Sequence, residues 1–117
     1  MESILISIKK LLGVGEEYDH FDADIIMHIN STLMFLNQLG IGPDDPFLIN
    51  GDTETWSDLL GTNTKVEAVK AYIFLKVKLL FDPPTSSFVL ESMDRQITML
   101  EWRLNAQAEK GTAEGGT

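Results

Sequence analysis

The residues best suited to chemistry are few and scattered. His20 and His28 are the only histidines, and His28 follows Asp24 by four residues. On a helix both would face one side and could share a metal ion. Two ligands do not complete a site, and spacing supplies no third. Asp22-x-Asp24 resembles a metal-binding acidic pair, but a helix start explains it more simply, with Asp22 as N-cap and Asp24 in the first turn. The run Asn50-Gly51-Asp52-x-Glu54 invites calcium. With Gly51 at the sixth position of a calcium loop, however, the first and third ligands would be Pro46 and Leu48, which cannot ligate through side chains. The run reads as a turn. Gly13-x-Gly15 and Gly40-x-Gly42 lack the lysine of a phosphate loop and the spacing of a dinucleotide fingerprint. There is no cysteine, so thiolate metal sites, disulfides and a cysteine nucleophile are excluded. No serine nucleophile elbow occurs. The expectation is a protein with no catalytic residues, no metal and no cofactor, which works by binding other chains.

Charge narrows the partners. The 117 residues carry a formal charge of −9, all of it in the first half. Residues 1–64 hold eleven acids against Lys9 and Lys10, whereas residues 65–117 hold seven acids and seven bases. Phosphate-backbone binding needs clustered Lys and Arg and is disfavoured. A solvated face, a basic partner or a surface that repels DNA fits better. No apolar run approaches the ~20 residues that span a bilayer, and residues 3–12 lack the flanks of a targeting segment. A soluble chain without a membrane partner is expected.

The elements that must position any binding surface are helical. Residues 3–12 (SILISIKKLL) put Ile4, Leu5, Ile8, Leu11 and Leu12 on one stripe, and Gly13 ends it. A second helix runs from Asp22 to about Leu39, with Ile25, Ile29, Leu33 and Leu36 on its inner stripe and Gly40 as stop. Residues 40–61 are irregular. Pro43 and Pro46 break helix, and residues 47–49 and 53–56 could flank the Asn50-Gly51 turn as a short β-hairpin. Thr55 or Ser57 could cap a single turn through Leu60. A helix over 64–81 carries two apolar stripes: Val66, Val69, Ile73, Val77 and Leu80, then Ala68, Tyr72, Leu75 and Leu79. It is therefore central or covered by another chain. Asp82-Pro83-Pro84 ends it. Ser86 or Ser87 caps a last helix to about Glu109, along which Leu90, Met93, Ile97, Leu100 and Leu104 form a heptad-like seam. Glu91 and Arg95 are spaced for an ion pair. The predicted architecture is all-α: a compact bundle of about four main helices with a long loop between the second and third. One domain covers 1–110, and 111–117 is expected to be a flexible tail.

Two places suit partners. Long loops are often functional, and this one presents Asp44, Asp45, Phe47, Asp52 and Glu54. On the last helix Met99, Trp102 and Arg103 lie off the seam. Trp102 suits either the core of its own chain or an interface anchor, because tryptophan favours both settings. At ~34 Å the helix is about as long as the domain is wide, ~35 Å.

The stretch from Trp56 to Ala108 carries a resemblance. TWSDLLG, then VKAYIFLKVKLLFDPPTSSFVLESMDRQITMLEWRLN, resembles the small head–tail connector proteins of tailed phages, also called head-completion or adaptor proteins. The likeness rests on the helix bearing Tyr72, the break Phe81-Asp82-Pro83-Pro84, and the long helix from Ser87-Phe88 to Glu101-Trp102-Arg103-Leu104-Asn105. The N-terminal half agrees in layout only. The resemblance implies a structural virion protein at the head–tail junction, made in the bacterial host. It implies a ring of about twelve copies that joins the portal to a head-closure or tail protein and extends the DNA channel. DNA would pass without specific binding. An acidic DNA mimic that inhibits a DNA-processing enzyme is the alternative, although the two last helices are neutral overall.

Overall fold

Among the described residues five helices form, and each begins or ends on a residue whose chemistry demands it. The computed structural model describes residues 2–61 and 66–115, with side chains to residue 106. Helix α1 spans Ile4–Leu12. Ser3 caps it by accepting from the Ile6 N–H at 3.3 Å. Gly13 ends it at φ 81°, a left-handed conformation that glycine adopts without a Cβ penalty. Helix α2 spans Asp22–Gln38, and α3 is the short turn Trp56–Leu60. Thr55 opens α3 with a reciprocal cap: its hydroxyl accepts from the Asp58 N–H while the Asp58 carboxylate accepts from the Thr55 N–H. Helix α4 spans Val66–Phe81 and α5 spans Ser87–Gly115. The expected start of α4 at residue 64 lies outside the described residues. Helix α5 runs on past the expected end near Glu109 and through residues 111–115 of the expected tail.

Asp22 is the first residue of α2 and not its cap. Phe21 holds the cap position without a side-chain bond. A buried lysine draws the carboxylate elsewhere. Lys9 Nζ lies 2.8 Å from Asp22 Oδ1 and donates to the Glu16 carbonyl at 3.0 Å. An ammonium removed from water requires such partners. The pair ties α1, the 13–21 connection and the start of α2 together.

The expected hairpin does not form: no strand occurs among the described residues. Residues 54–56 pair with the N-terminal segment instead. The Ile4 N–H donates to the Glu54 carbonyl at 3.0 Å and the Trp56 N–H to the Glu2 carbonyl at 3.3 Å, giving one isolated bridge between Ser3 and Thr55. On the other side of the turn, Asn30 takes both backbone groups of buried Ile49, donating to its carbonyl at 2.9 Å and accepting from its N–H at 2.8 Å. With both flanks engaged elsewhere, no cross-strand ladder is left to make.

Helix α4 is central, as its two apolar stripes require, and packs against α1, α2 and α5. Val69, Ile73, Val77, Tyr72 and Leu75 are buried, whereas Leu80 at its end is exposed. Tyr72 joins three helices. Its ring stacks on Phe35 of α2 at 6.3 Å, and its hydroxyl donates to Glu101 of α5 at 2.7 Å. Burial and the Glu101 carboxylate push that hydroxyl well above its ordinary range, so it remains a donor. Ile4, Ile8, Ile25, Ile29, Leu33, Leu36 and Trp56 complete the core from the first half. From α5 come Met93, Ile97 and Leu104, flanked by half-buried Leu90 and Leu100, so the seam faces inward as predicted. The molecule is a slab of 47 × 35 × 19 Å. Helix α5, about 44 Å long, runs nearly its full length.

Candidate functional site

The surface best suited to a partner is the side of α5 opposite its core seam. Met93, Ile97 and Leu104 fix which face points inward. Phe88, Ser92, Arg95, Met99, Trp102 and Ala106 recur at alternating intervals of four and three, so they line the far side as a second seam. Phe88 is 74% exposed, Trp102 73% and Met99 48%. Arg95 is exposed among them and Arg103 flanks them. Large apolar side chains exposed along one helix face, here Phe88, Met99 and Trp102, point to an interaction surface.

Trp102 is therefore outside the core, while Trp56 is buried with its indole N–H donating to Ser7 Oγ at 3.0 Å. The pair predicted between Glu91 and Arg95 is absent, and neither Arg95 nor Arg103 has an ion-pair partner among the described residues. Both guanidinium groups remain available to an external acid. Phe88 and Arg95 escaped sequence reasoning. The signal that could have found them was the second four–three rhythm, offset from the apolar seam.

The loop residues have mixed roles. Asp44, Asp45 and Asp52 are exposed. Phe47 is half-buried and packs against the core. Glu54 is half-buried, and its carboxylate accepts from the Asn50 N–H at 2.8 Å. Burial tends to raise the Glu54 carboxyl, but the backbone N–H groups at Asn50, Glu54 and Gly51, with the Thr53 hydroxyl, hold it below the usual range. It clasps the turn as an anion. Asn37 donates to the carbonyls of Pro43 and Asp44, which fixes the acidic corner beside the end of α2. The loop is thus held by α1 and α2, whereas Met99, Trp102 and Arg103 lie on α5, so the two groups occupy different parts of the surface.

The loop's anchor gives a test. Asn30→Ala leaves the N–H and carbonyl of buried Ile49 without partners, an expected loss of about 2–3 kcal/mol. Limited proteolysis should then cut within 43–53 at protease levels that spare the parent. Equal resistance in both chains would show that Asn30 does not hold the loop.

The metal-type residues do not converge. His20 packs edge-on to Phe21 at 5.0 Å and lies 5.9 Å from Tyr18. His28 is half-buried and Asp24 exposed. Among the described residues no three His, Cys, Asp or Glu side chains cluster to hold an ion. Gly42, at φ 89°, meets the Leu59 side chain where a Cβ would sit, which explains a glycine there without any ligand. No described helix is long and apolar enough to cross a membrane.

A family model described as "Phage connector protein" matches residues 4–111, which is nearly the whole chain. No curated protein and no solved structure matches it.

Proposed function

Because the chain belongs to the phage connector protein family, we propose that it is a structural virion subunit of the head–tail junction in a tailed phage or prophage. Copies of the chain assemble as a ring beneath the portal, and the ring extends the DNA channel and receives the head-closure or tail protein. The extent of the family match carries this reading, since it takes in α1 to α4 and most of α5. Three features support it. Helix α5 presents a long outer seam with exposed Phe88, Met99 and Trp102 around Arg95, as an assembling subunit needs. The acid-rich first half suits a channel that must pass DNA without gripping it. The acidic corner at Asp44 and Asp45, with Asp52 beyond the Asn50-Gly51 turn, offers a surface to a neighbour, a partner or the channel.

Electron microscopy of the full chain mixed with the portal of its own phage tests the proposal. The expected result is a ring of added density on the tail-facing side of the portal. Portal particles left unchanged at saturating concentrations, with the chain still monomeric, would overturn it.

A further inference from the structure

We propose that the outer seam of α5 docks on the outer face of α2 in a second copy of this chain. The proposal deepens the ring reading above and rests on it.

Helix α2 carries its own exposed row. Met27, Ser31, Met34 and Gln38 follow one another at intervals of four, three and four, opposite buried Ile25, Ile29, Leu33 and Leu36. Met27 is 59% exposed and Met34 51%. Unbranched methionine side chains adapt to bulky neighbours such as Trp102 and Phe88. Two helices with four–three rows have matching ridge geometry and can pack lengthwise.

Charge selects this pairing. Arg95 and Arg103 are the only arginines in the chain; one lies within the α5 seam and the other beside it. Residues 11–64, which include α2 and both its flanks, contain ten acids and neither Lys nor Arg. Exposed Asp24 stands at the start of the α2 row, and Asp44 and Asp45 are fixed beside its end through Asn37. Lys76 of α4 lies over the Phe35 ring of α2 at 5.8 Å, and Glu91 is exposed on α5. The α2 row itself, however, is bordered by Asp24, Asp44 and Asp45, whereas the α5 seam holds Arg95 and is flanked by Arg103. The two rows are thus complementary in sign, and both expose large apolar side chains.

Topology makes the contact repeatable. Helix α4 packs against both α2 and α5, and the α2 and α5 rows in question are turned away from it. One subunit can therefore offer both rows at once. Such a contact is head-to-tail, and head-to-tail contacts close into rings when the rotation per copy allows.

The chain contains no cysteine, so the introduced thiols are the only ones it brings to a cross-linking reaction. Met34→Cys and Met99→Cys would be prepared singly and together in the full chain, assembled with the portal and treated with a short bis-maleimide. Both positions are exposed, so each variant should melt like the parent. The expected result is a dimer when the single variants are mixed and a ladder of multimers from the double variant. Trp102→Ala, added to the double variant, should weaken association about tenfold or more while leaving the monomer folded. Rings seen by microscopy without cross-links between the two variants would overturn this interface and leave the ring reading standing. Efficient dimers of Met99→Cys alone would assign α5 to a two-fold partner and overturn it too. Absence of any ring would remove both readings.

Discussion

A chain carrying Ile97→Asp is expected to be unfolded under conditions in which the parent is fully native. Ile97 is buried on the inner seam of α5, between Met93 and Leu104. Ile97 belongs to the hydrophobic core, and a lone carboxylate there must be either desolvated or neutralised, at a cost of several kcal/mol. Total stability in a domain this size is only about 5–15 kcal/mol. Loss of isoleucine packing adds to the penalty. Ile97→Leu conserves volume and should cost less than about 1.5 kcal/mol. Far-ultraviolet circular dichroism melts of the three chains check this. A cooperative, unshifted transition for Ile97→Asp would mean that α5 does not pack on α4 through this seam.

The second large effect separates the two tryptophans. Trp56→Ala should cost about 3–5 kcal/mol, the range for emptying a large aromatic site in a core. It also strips Ser7 Oγ of the indole donor. The melting temperature should fall by on the order of 15 °C or more. Trp102→Ala, on the open side of α5, should lie within about 0.5 kcal/mol of the parent. Denaturant titration of both variants reads the difference directly. Equal losses would place Trp102 in the core and remove the outer seam as a docking surface.

Most helix boundaries were legible because they are set by local chemistry. Gly13, Gly40, the Thr55 cap and the Asp82-Pro83 break act within a few residues of themselves, and the structure uses each as the sequence suggests. The inner seams of α2 and α5 were legible because burial repeats with the helical period. The misreadings share another cause: each depended on a partner distant in the chain. Asp22 looked like a cap because nothing nearby revealed that Lys9 would be buried and need it. Residues 47–56 looked like a hairpin because nothing local revealed that Asn30 would engage Ile49, or that residues 2–4 would take the far flank. Leu80 matched a stripe whose last turn runs beyond the core. For Trp102, the spacing alone left core and surface open. Only the position of α4 against the inner seam decides that it stands outside.

The slab shape has a consequence for enclosure. A helix with its side chains is about 10 Å across, so a body 19 Å thick is only two layers deep. Central α4 is covered by α1, α2 and α5, whereas each covering helix keeps one side open to solvent. Among the described residues no further layer covers Met27 and Met34 on α2 or Met99 and Trp102 on α5. Burial of those side chains would have to come from the surface of another molecule.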